Sequence, residues 1–353
     1  MDAPADAGVD RRRLLATFVA CAVVAVGVLV LALASRGPEP RTSPFADAEP
    51  LQGRPPLVYD LTARYLVEGE APARVRRLEA LGDPVRDPEL ALALAGALLD
   101  AGRERDAVTR LDEAAALLGP DDLRVQVGRA LAAYREGNPQ RADDLLAALA
   151  ADHPDDALPT FERGLVLLFA GDANRARDWL ARARDLDRDG FYGVRADNVL
   201  HPGIAPGYPP WFASRDLPRG SIVDLKRRAR AAPADADLQL AVAAALQAAG
   251  KRRQAREAAT LAVAADPNDL DAQVAVAVLG FDKDNPAAAV GAVGTILRGD
   301  NSRVQPRVHL GLLLSWIGRR EQAREQFRLA AAADPDGRLG ELARELARER
   351  GGS

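Results

Sequence analysis

The sequence predicts an all-α protein, a right-handed α-solenoid of helix-hairpin repeats preceded by one transmembrane helix. Two observations carry this prediction. Residues 14–34 form a run of 21 residues without a charge, and glycines, small residues and prolines recur along the rest of the chain with a period of about 34 residues. The composition, 48% hydrophobic and 28% charged over 353 residues, is sufficient for a sizeable core.

Charge and cysteine content exclude several classes of function. Forty-seven basic residues against 51 acidic residues give a net charge of −4, so the chain lacks the basic surface of a general nucleic-acid binder. A single cysteine, Cys21, rules out an internal disulfide framework, and three histidines scattered along the sequence do not form a zinc motif. We therefore expect no nucleic-acid partner and no cofactor beyond the calcium alternative considered below.

The apolar run from Leu14 to Ala34 is long enough to span the hydrocarbon core of a membrane, roughly 30 Å at about 1.5 Å per residue. Arg11, Arg12 and Arg13 precede it directly, whereas basic residues are sparse just after it. This bias predicts a short basic cytoplasmic tail over residues 1–13 and a single-pass protein of the inner or plasma membrane, with the bulk of the chain extracytoplasmic.

Three other interpretations of this segment stay open. Ala32-Leu33-Ala34 has the pattern of a cleaved secretory signal, residues 11–15 loosely resemble a twin-arginine export signal, and residues 18–21 resemble a lipoprotein box. The length of the apolar run favours an uncleaved anchor. Residues 35–56, which are rich in proline, predict an extended linker.

The period is marked by glycines, each followed five residues later by an alanine. The glycine supplies a left-handed residue that ends one helix, and the small residue lets the next helix approach closely. Prolines after the second helix prevent its continuation. The glycines and alanines are Gly102 and Ala107, Gly137 and Ala142, Gly171 and Ala176, Gly250 and Ala255, and Gly318 and Ala323.

The last repeat shows the pattern most fully, with Leu310-Gly311, Leu314, Gly318, Ala323, Phe327, Ala330 and Pro335. In these residues it resembles the tetratricopeptide repeat family, of the membrane-anchored bacterial type. The resemblance implies an N-terminal array over 57–190, with a degenerate leading repeat at 57–84, and a C-terminal array over 220–349 that ends in a polar capping helix at 338–349. The six repeats are 88–121, 123–156, 157–190, 236–269, 270–303 and 304–337.

The resemblance implies that the first helix of each repeat lines an inner groove. The family's carboxylate-binding set of Lys, Arg and Asn is absent here, so an apolar peptide or an amphipathic helix is the expected ligand. The groove residues expected to bind a partner are Phe161, Leu165, Leu168 and Phe169 in the third repeat and His309, Leu312 and Trp316 in the sixth.

Residues 191–219 interrupt the period with five prolines and five aromatic residues. We expect a segment of this kind to lie along the inner groove or to split the array into two subarrays. Its aromatic residues Trp211 and Phe212 either fill a packing gap or contact a partner.

Asp185, Asp187 and Asp189 reproduce the opening of a calcium-binding loop of the EF-hand type, followed by Gly190. The closing position holds Ala196 in place of a bidentate glutamate. The same residues are also compatible with an ordinary solvated helix end, so calcium binding is an alternative.

No phosphate-binding loop, nucleophile elbow or metalloprotease motif occurs in the sequence, and we expect no enzymatic activity. The function predicted is a membrane-anchored scaffold, assembly factor or holdase that binds another protein in or near the membrane. The layout resembles that of bacterial inner-membrane tetratricopeptide proteins of the secretion translocon or of c-type cytochrome assembly. The alternative function is a calcium-stabilised structural protein of the envelope or surface.

Overall fold

The structure is a computed structural model that describes residues 51–299 and 303–349. The expected cytoplasmic tail, the expected transmembrane helix at 14–34 and most of the expected linker lie outside these ranges. Among the described residues, none of the helices combines the length and the apolar character needed to cross a bilayer.

The described chain contains sixteen α-helices and forms two compact units, which divide between Pro202 and Gly203. The helices of the first unit are α1 (Ala71–Glu79), α2 (Pro88–Asp100), α3 (Glu104–Leu118), α4 (Leu123–Ala132), α5 (Gln140–Asp152), α6 (Ala157–Phe169), α7 (Ala173–Leu186) and α8 (Phe191–Leu200). The helices of the second unit are α9 (Ile222–Ala231), α10 (Ala236–Ala248), α11 (Arg252–Ala265), α12 (Leu270–Leu279), α13 (Pro286–Gly299), α14 (Val304–Trp316), α15 (Arg320–Ala333) and α16 (Arg338–Glu349).

Both units have the same order of elements. Each begins with an extended segment and a lone helix, α1 or α9, continues with three helix hairpins, and ends with a closing helix, α8 or α16. The closing helices pack against the last hairpin of their own unit. The six hairpins predicted from the 34-residue period are therefore present, and so is the capping helix at 338–349.

Two expected segments differ from the structure. The interruption expected over 191–219 begins later, because residues 191–200 form α8, which closes the first unit. The leading repeat expected over 57–84 is not a hairpin, since most of its first half is extended and only α1 and two short 3-10 turns are helical. An isolated extended segment carries no helical periodicity, so the sequence pattern did not show where either array begins.

The turns inside the hairpins follow the sequence prediction. These turns contain five glycines with φ between 72° and 80°, each lying between the two helices of its hairpin: Gly102, Gly137, Gly171, Gly250 and Gly318. A side chain at such a position would be strained, which explains why glycine recurs there. The fifth hairpin lacks this glycine, and its first helix, α12, is only 10 residues long.

Small residues allow the two helices of a hairpin to cross closely. Ala176 and Ala323, predicted for this role, are fully buried. At Gly311 on α14, an added Cβ atom would lie 2.4 Å from the Phe327 ring of α15. Interiors packed this tightly tolerate little added volume, so these positions fix the crossing of each pair.

Candidate functional site

An extended segment runs over the first helices of the hairpins in each unit. We call residues 53–62 the N-terminal strap and residues 205–217 the C-terminal strap. The surface formed by α2, α4 and α6 is the first-helix face of the first unit, and the surface formed by α10, α12 and α14 is that of the second. The contacts of each strap with its own face define the candidate site.

The C-terminal strap is held first through its main chain. The side-chain amide of Gln247 on α10 pairs with Trp211, accepting its N–H at 2.9 Å and donating to its carbonyl at 2.8 Å. On α14, Gln305 donates to the carbonyl of Phe212 at 3.4 Å. Contacts of this kind recognise an extended backbone and do not depend on which side chain it carries.

His309 on α14 lies under the strap. Its Nε2 atom accepts the backbone N–H of Phe212 at 3.2 Å, and its Nδ1 atom lies 3.0 Å from the carbonyl of Gln305. The imidazole ring also packs on the ring of Phe212, with 4.3 Å between the two centroids. The side chain is fully buried, and burial lowers the pKa of His309 to about 4, with the Gln305 carbonyl acting weakly in the other direction. A neutral imidazole with its proton on Nδ1 satisfies both contacts.

The end of the strap is held by charge. Arg215 contacts three carboxylates at the N-terminal ends of α10 and α12, those of Asp237 at 2.6 Å, Asp269 at 2.5 Å and Asp271 at 2.7 Å. Ser214 adds a second contact to Asp271, donating from both its N–H and its hydroxyl at 2.9 Å. Asp269 and Asp271 are buried, whereas the Arg215 side chain keeps 39% of its surface exposed.

The N-terminal strap is held in a comparable way. The backbone N–H of Val58 donates to Glu162 on α6 at 2.8 Å, and the hydroxyl of Tyr59 donates to the carbonyl of Arg124 on α4 at 2.6 Å. Arg54 pairs with Glu104 at 2.8 Å. Gly128 makes room for this strap, because a Cβ atom there would lie 2.5 Å from the Tyr59 hydroxyl.

Glu162 is a buried carboxyl with one hydrogen bond. Its Oε1 atom accepts from Val58, and its Oε2 atom has no hydrogen-bond partner within the described chain. Burial raises the pKa of Glu162 well above its ordinary value, opposed by the Val58 hydrogen bond and reinforced by the charge of Asp100. The neutral acid is therefore the form that fits this position.

The two straps run in the same direction over their faces. Each passes from the C-terminal ends of the first helices toward their N-terminal ends. At the C-terminal ends Arg54 donates to the carbonyl of Leu131 in the first unit, and Ala205 donates to the carbonyl of Trp316 in the second. At the N-terminal ends Thr62 contacts Glu89 in the first unit, and Arg215 contacts Asp237 in the second. Both straps also contain two consecutive prolines followed by two apolar residues, at 55–58 and 209–212.

The structure places the expected groove residues inside the protein. In the first unit Phe161 and Leu165 pack in a small cluster with Leu200 of α8, and Leu168 packs in a neighbouring one. Phe169 is half-buried. In this structure α8 therefore covers part of the surface expected to bind a partner.

In the second unit the residues expected to bind a partner pack against one another. Trp211 and Phe212 belong to the strap, His309 lies beneath Phe212, and Leu312 is buried in the same core, where Trp316 is half-buried. The expectation of an open apolar groove is thus corrected: each first-helix face is occupied by the chain's own extended segment. Of the two placements expected for the interruption, residues 203–217 lie along the face, and the array also divides into two units at this point.

The three aspartates considered for calcium have other partners. The carboxylate of Asp187 accepts the N–H groups of Tyr192 at 3.0 Å and Gly193 at 3.4 Å, and thereby caps α8. Asp185 contacts Arg188 at 3.0 Å. Among the described residues no group of three or more His, Cys, Asp or Glu side chains is arranged to hold a metal ion.

The same cap recurs at the other closing helix. Asp334, 147 residues after Asp187, accepts the N–H of Gly340 at 3.1 Å at the start of α16. Residues 187–193 and 334–340 share the pattern Asp-x-Asp-Gly-x-x-Gly. The motif interpreted as the opening of a calcium loop therefore acts in both units as a helix N-terminal cap.

Several residues of the site were not found from the sequence, among them Gln247, Asp271, Arg215 and Glu162. Two signals could have indicated them. One is the occurrence of Glu162 and Asp271 at buried positions of first helices that are mostly apolar, and the other is the repeated proline pair before each array.

Comparison with known proteins gives only distant structural matches. No protein-family model matches the chain, and no curated protein matches it. Solved structures similar to it include YrrB, described as a TPR protein with an unusual peptide-binding site, at 14% identity over 73% of this chain and 92% of that one, with a TM-score of 0.26.

Two further matches have the same character. A tetratricopeptide repeat protein from Parabacteroides merdae is 13% identical over 79% of this chain and 92% of that one, with a TM-score of 0.27. Yeast Tom70 is 13% identical over 80% of this chain and 58% of its own length, with a TM-score of 0.31. These values are too low to support a conclusion about the ligands or partners of this chain, and its helix-hairpin fold is established by its own geometry.

Proposed function

We propose that this chain is a membrane-anchored, non-catalytic scaffold that binds an extended segment of another protein on its first-helix faces. The observation that carries the proposal is that both faces hold an extended segment through hydrogen bonds to its main chain, at Trp211 in the second unit and at Val58 in the first. A surface that binds one extended backbone in this way is suited to bind another.

The geometry favours an extended ligand over an amphipathic helix. A helix satisfies its own backbone groups, whereas Gln247 and His309 are positioned to pair with free N–H and C=O groups. The apolar part of the ligand site is correspondingly small, because most of the expected groove residues are buried in the core of their own unit.

We further propose that residues 14–34 anchor the chain in the inner or plasma membrane and that the two units lie outside the cytoplasm. The support is the uncharged run of 21 residues and the three arginines before it. The partner is then a protein in or near that membrane.

Site-specific photo-crosslinking in intact membranes tests the proposal. Probes are placed at Glu89 and Asp237, which lie at the start of α2 and α10 and contact the straps. Matched control probes are placed at Arg177 on α7 and Arg328 on α15, which are exposed on second helices. Discrete adducts with another protein from positions 89 and 237, and none from 177 and 328, are expected. Equal adducts from all four positions, or none at all, would contradict a binding role for these faces.

A further inference from the structure

We infer that the first-helix face of the second unit is specific for a partner segment with the chemistry of the C-terminal strap. In such a segment two prolines precede an aromatic residue, and an arginine follows four residues after that aromatic residue. The strap is then an internal copy of the ligand, which a partner segment replaces. The inference rests on the proposed function and names the class of partner.

The first requirement on the ligand is an extended backbone near the C-terminal end of α10. Gln247 pairs with both main-chain groups of Trp211, and His309 accepts the next N–H, that of Phe212. Because main-chain groups of two successive residues are hydrogen-bonded to the face, this stretch must be extended. A proline pair before it favours that conformation, since proline restricts the residue that precedes it and cannot form a helix interior.

The second requirement is an arginine at the far end. The guanidinium of Arg215 contacts Asp237, Asp269 and Asp271 at once. Asp271 is 1% exposed and Asp269 is 8% exposed beneath the strap, and carboxylates covered to this extent need a cation beside them. A segment that replaces the strap must therefore supply a cation there. The planar guanidinium, with five N–H donors, suits three carboxylates better than the ammonium of lysine, which has three donors and no planar fork.

The strap itself is an imperfect ligand. The indole Nε1 of Trp211 and the Oε1 atom of Gln305 are buried without a hydrogen-bond partner in the described structure. A buried polar atom without a partner is unfavourable. A partner segment that donates to the Gln305 oxygen, or that has no unpaired donor in place of the Trp211 indole, would therefore bind better than the strap. The strap is also exposed at Ser214, Arg215 and Asp216, where an incoming segment can begin to replace it.

Peptide binding to the full chain in detergent micelles tests this inference. The probe is a fluorescent peptide with the sequence of residues 206–217, PGYPPWFASRDL, and the host is the full chain with Arg215→Gln, which weakens the internal strap. Binding at least about tenfold tighter to this host than to the wild-type chain is expected, because the intact strap competes at a high effective concentration. The second expected result is a loss of at least about tenfold in affinity when the arginine of the peptide is replaced by glutamine.

Matched host variants locate the site. Asp271→Asn in the Arg215→Gln host should weaken peptide binding by about tenfold or more. Asp224→Asn, at a half-buried position of α9 outside the face, should leave binding unchanged. Circular dichroism establishes that each host is folded, and a host with Arg215→Lys replaces the first one if Arg215→Gln does not fold. Equal binding of the arginine and glutamine peptides, or equal binding to the wild-type and weakened hosts, would overturn the inference.

The outcomes also separate this inference from the proposed function. If positions 89 and 237 give partner adducts but peptide binding does not depend on the arginine, the proposed scaffold function is supported and the proposed ligand class is rejected. Dimerisation of the weakened host without peptide, measured by native mass spectrometry, would identify the replacing segment as the strap of a second copy and so contradict a different protein as the partner.

Discussion

Glu162 and His309 occupy the same place in the two units, and each accepts the backbone N–H of a strap residue. Glu162 is the sixth residue of α6 and accepts from Val58 at 2.8 Å, and His309 is the sixth residue of α14 and accepts from Phe212 at 3.2 Å. Both side chains are fully buried. One is an acid whose pKa is raised and the other a base whose pKa is lowered, so both are neutral when their strap is bound.

The second unit should lose stability in acid because of His309. Burial lowers the pKa of His309 to about 4, from 6.5 in the unfolded chain. The contribution of the neutral side chain to the free energy of unfolding is therefore complete above pH 6.5 and is lost as the pH falls through 4. The loss should amount to about 3 kcal/mol. No charged side chain is among the groups that set this pKa, only burial and the Gln305 carbonyl.

Protection of the Phe212 amide in hydrogen exchange, measured between pH 7 and 4, checks this dependence. His309→Gln keeps an acceptor for that amide and should remove most of the pH dependence. His153→Gln, at an exposed position after α5, is the control and should retain it. If the loss of protection in acid persists unchanged in His309→Gln, another group is responsible for it.

The first unit should respond to pH in the opposite sense. The pKa of Glu162 is raised above its unfolded value of 4.5, so its contribution is complete below pH 4.5 and is lost as the pH rises through the folded pKa. Asp100 strengthens the effect. Burial raises the pKa of Tyr59 and of Tyr192, and Glu162 adds to both shifts.

Exchange at the Val58 amide measures the response of the first unit. Protection should fall from pH 4.5 upward in the wild type and stay level in Glu162→Gln, which has no titratable group. Glu68→Gln, at an exposed position of the same unit, should behave like the wild type. A wild-type strap whose protection rises with pH would show that Glu162 is ionised in the folded state.

Removal of Arg215 should loosen the C-terminal strap. Arg215→Ala leaves buried Asp269 and Asp271 without their cation, and because the arginine is 39% exposed we expect a loss of about 1–3 kcal/mol. Arg227→Ala, which removes an exposed pair with Asp224, is the matched control and should change stability by less than about 0.5 kcal/mol. Thermal unfolding and hydrogen exchange over 205–217 measure both, and equal effects would indicate that Arg215 does not hold the strap.

Two glycines of the second unit should differ in their tolerance of a methyl group. Gly311→Ala places a Cβ atom 2.4 Å from the ring of Phe327 and should lower the free energy of unfolding by about 1–3 kcal/mol. At Gly291 on α13, a new Cβ atom would have no described atom within 4 Å apart from its chain neighbours and the backbone of its own helix. Gly291→Ala should therefore raise the free energy of unfolding by about 0.5–1 kcal/mol, because alanine favours the helix. Urea unfolding of both variants checks the sign of each change. Stabilisation by Gly311→Ala would mean that α14 and α15 cross differently.

Deletion of residues 14–34 should move the chain from the membrane fraction to the soluble fraction. The physical reason is the loss of the one uncharged run long enough to span a bilayer. Replacement of this run by a leucine-alanine sequence of equal length is the control and should restore sedimentation with membranes. Retention of the deleted chain on membranes that withstands high salt would contradict an anchor at this position.

The sequence allowed the hairpins to be located because their signals are local. Gly250 and Gly318 end their helices in the left-handed conformation expected of them, and Ala323 is buried where the period places it. The straps could not be located in the same way. Their conformation depends on partners far away in sequence, such as Gln247 for Trp211 and Glu162 for Val58, and an extended segment has no period of its own.

The likeness between the two units was also not recognisable from the sequence. Asp187 and Asp334 carry the same cap, but the first was interpreted as the opening of a calcium loop because its neighbours include two more aspartates. The short first helices α4 and α12 weakened the pattern in the second and fifth repeats. In the structure each is followed by a buried aromatic residue, Tyr134 or Phe281, that has no counterpart in the other repeats.

The central claim is that a partner segment and the chain's own strap compete for one face. The most direct test is photo-crosslinking from position 237 in intact membranes, comparing the wild-type chain with Arg215→Ala and recording both internal and partner adducts by mass spectrometry. We predict that internal adducts with the strap decrease and that partner adducts increase several-fold in Arg215→Ala. Partner adducts that stay constant while the strap adducts disappear would show that the strap does not occupy the partner's site.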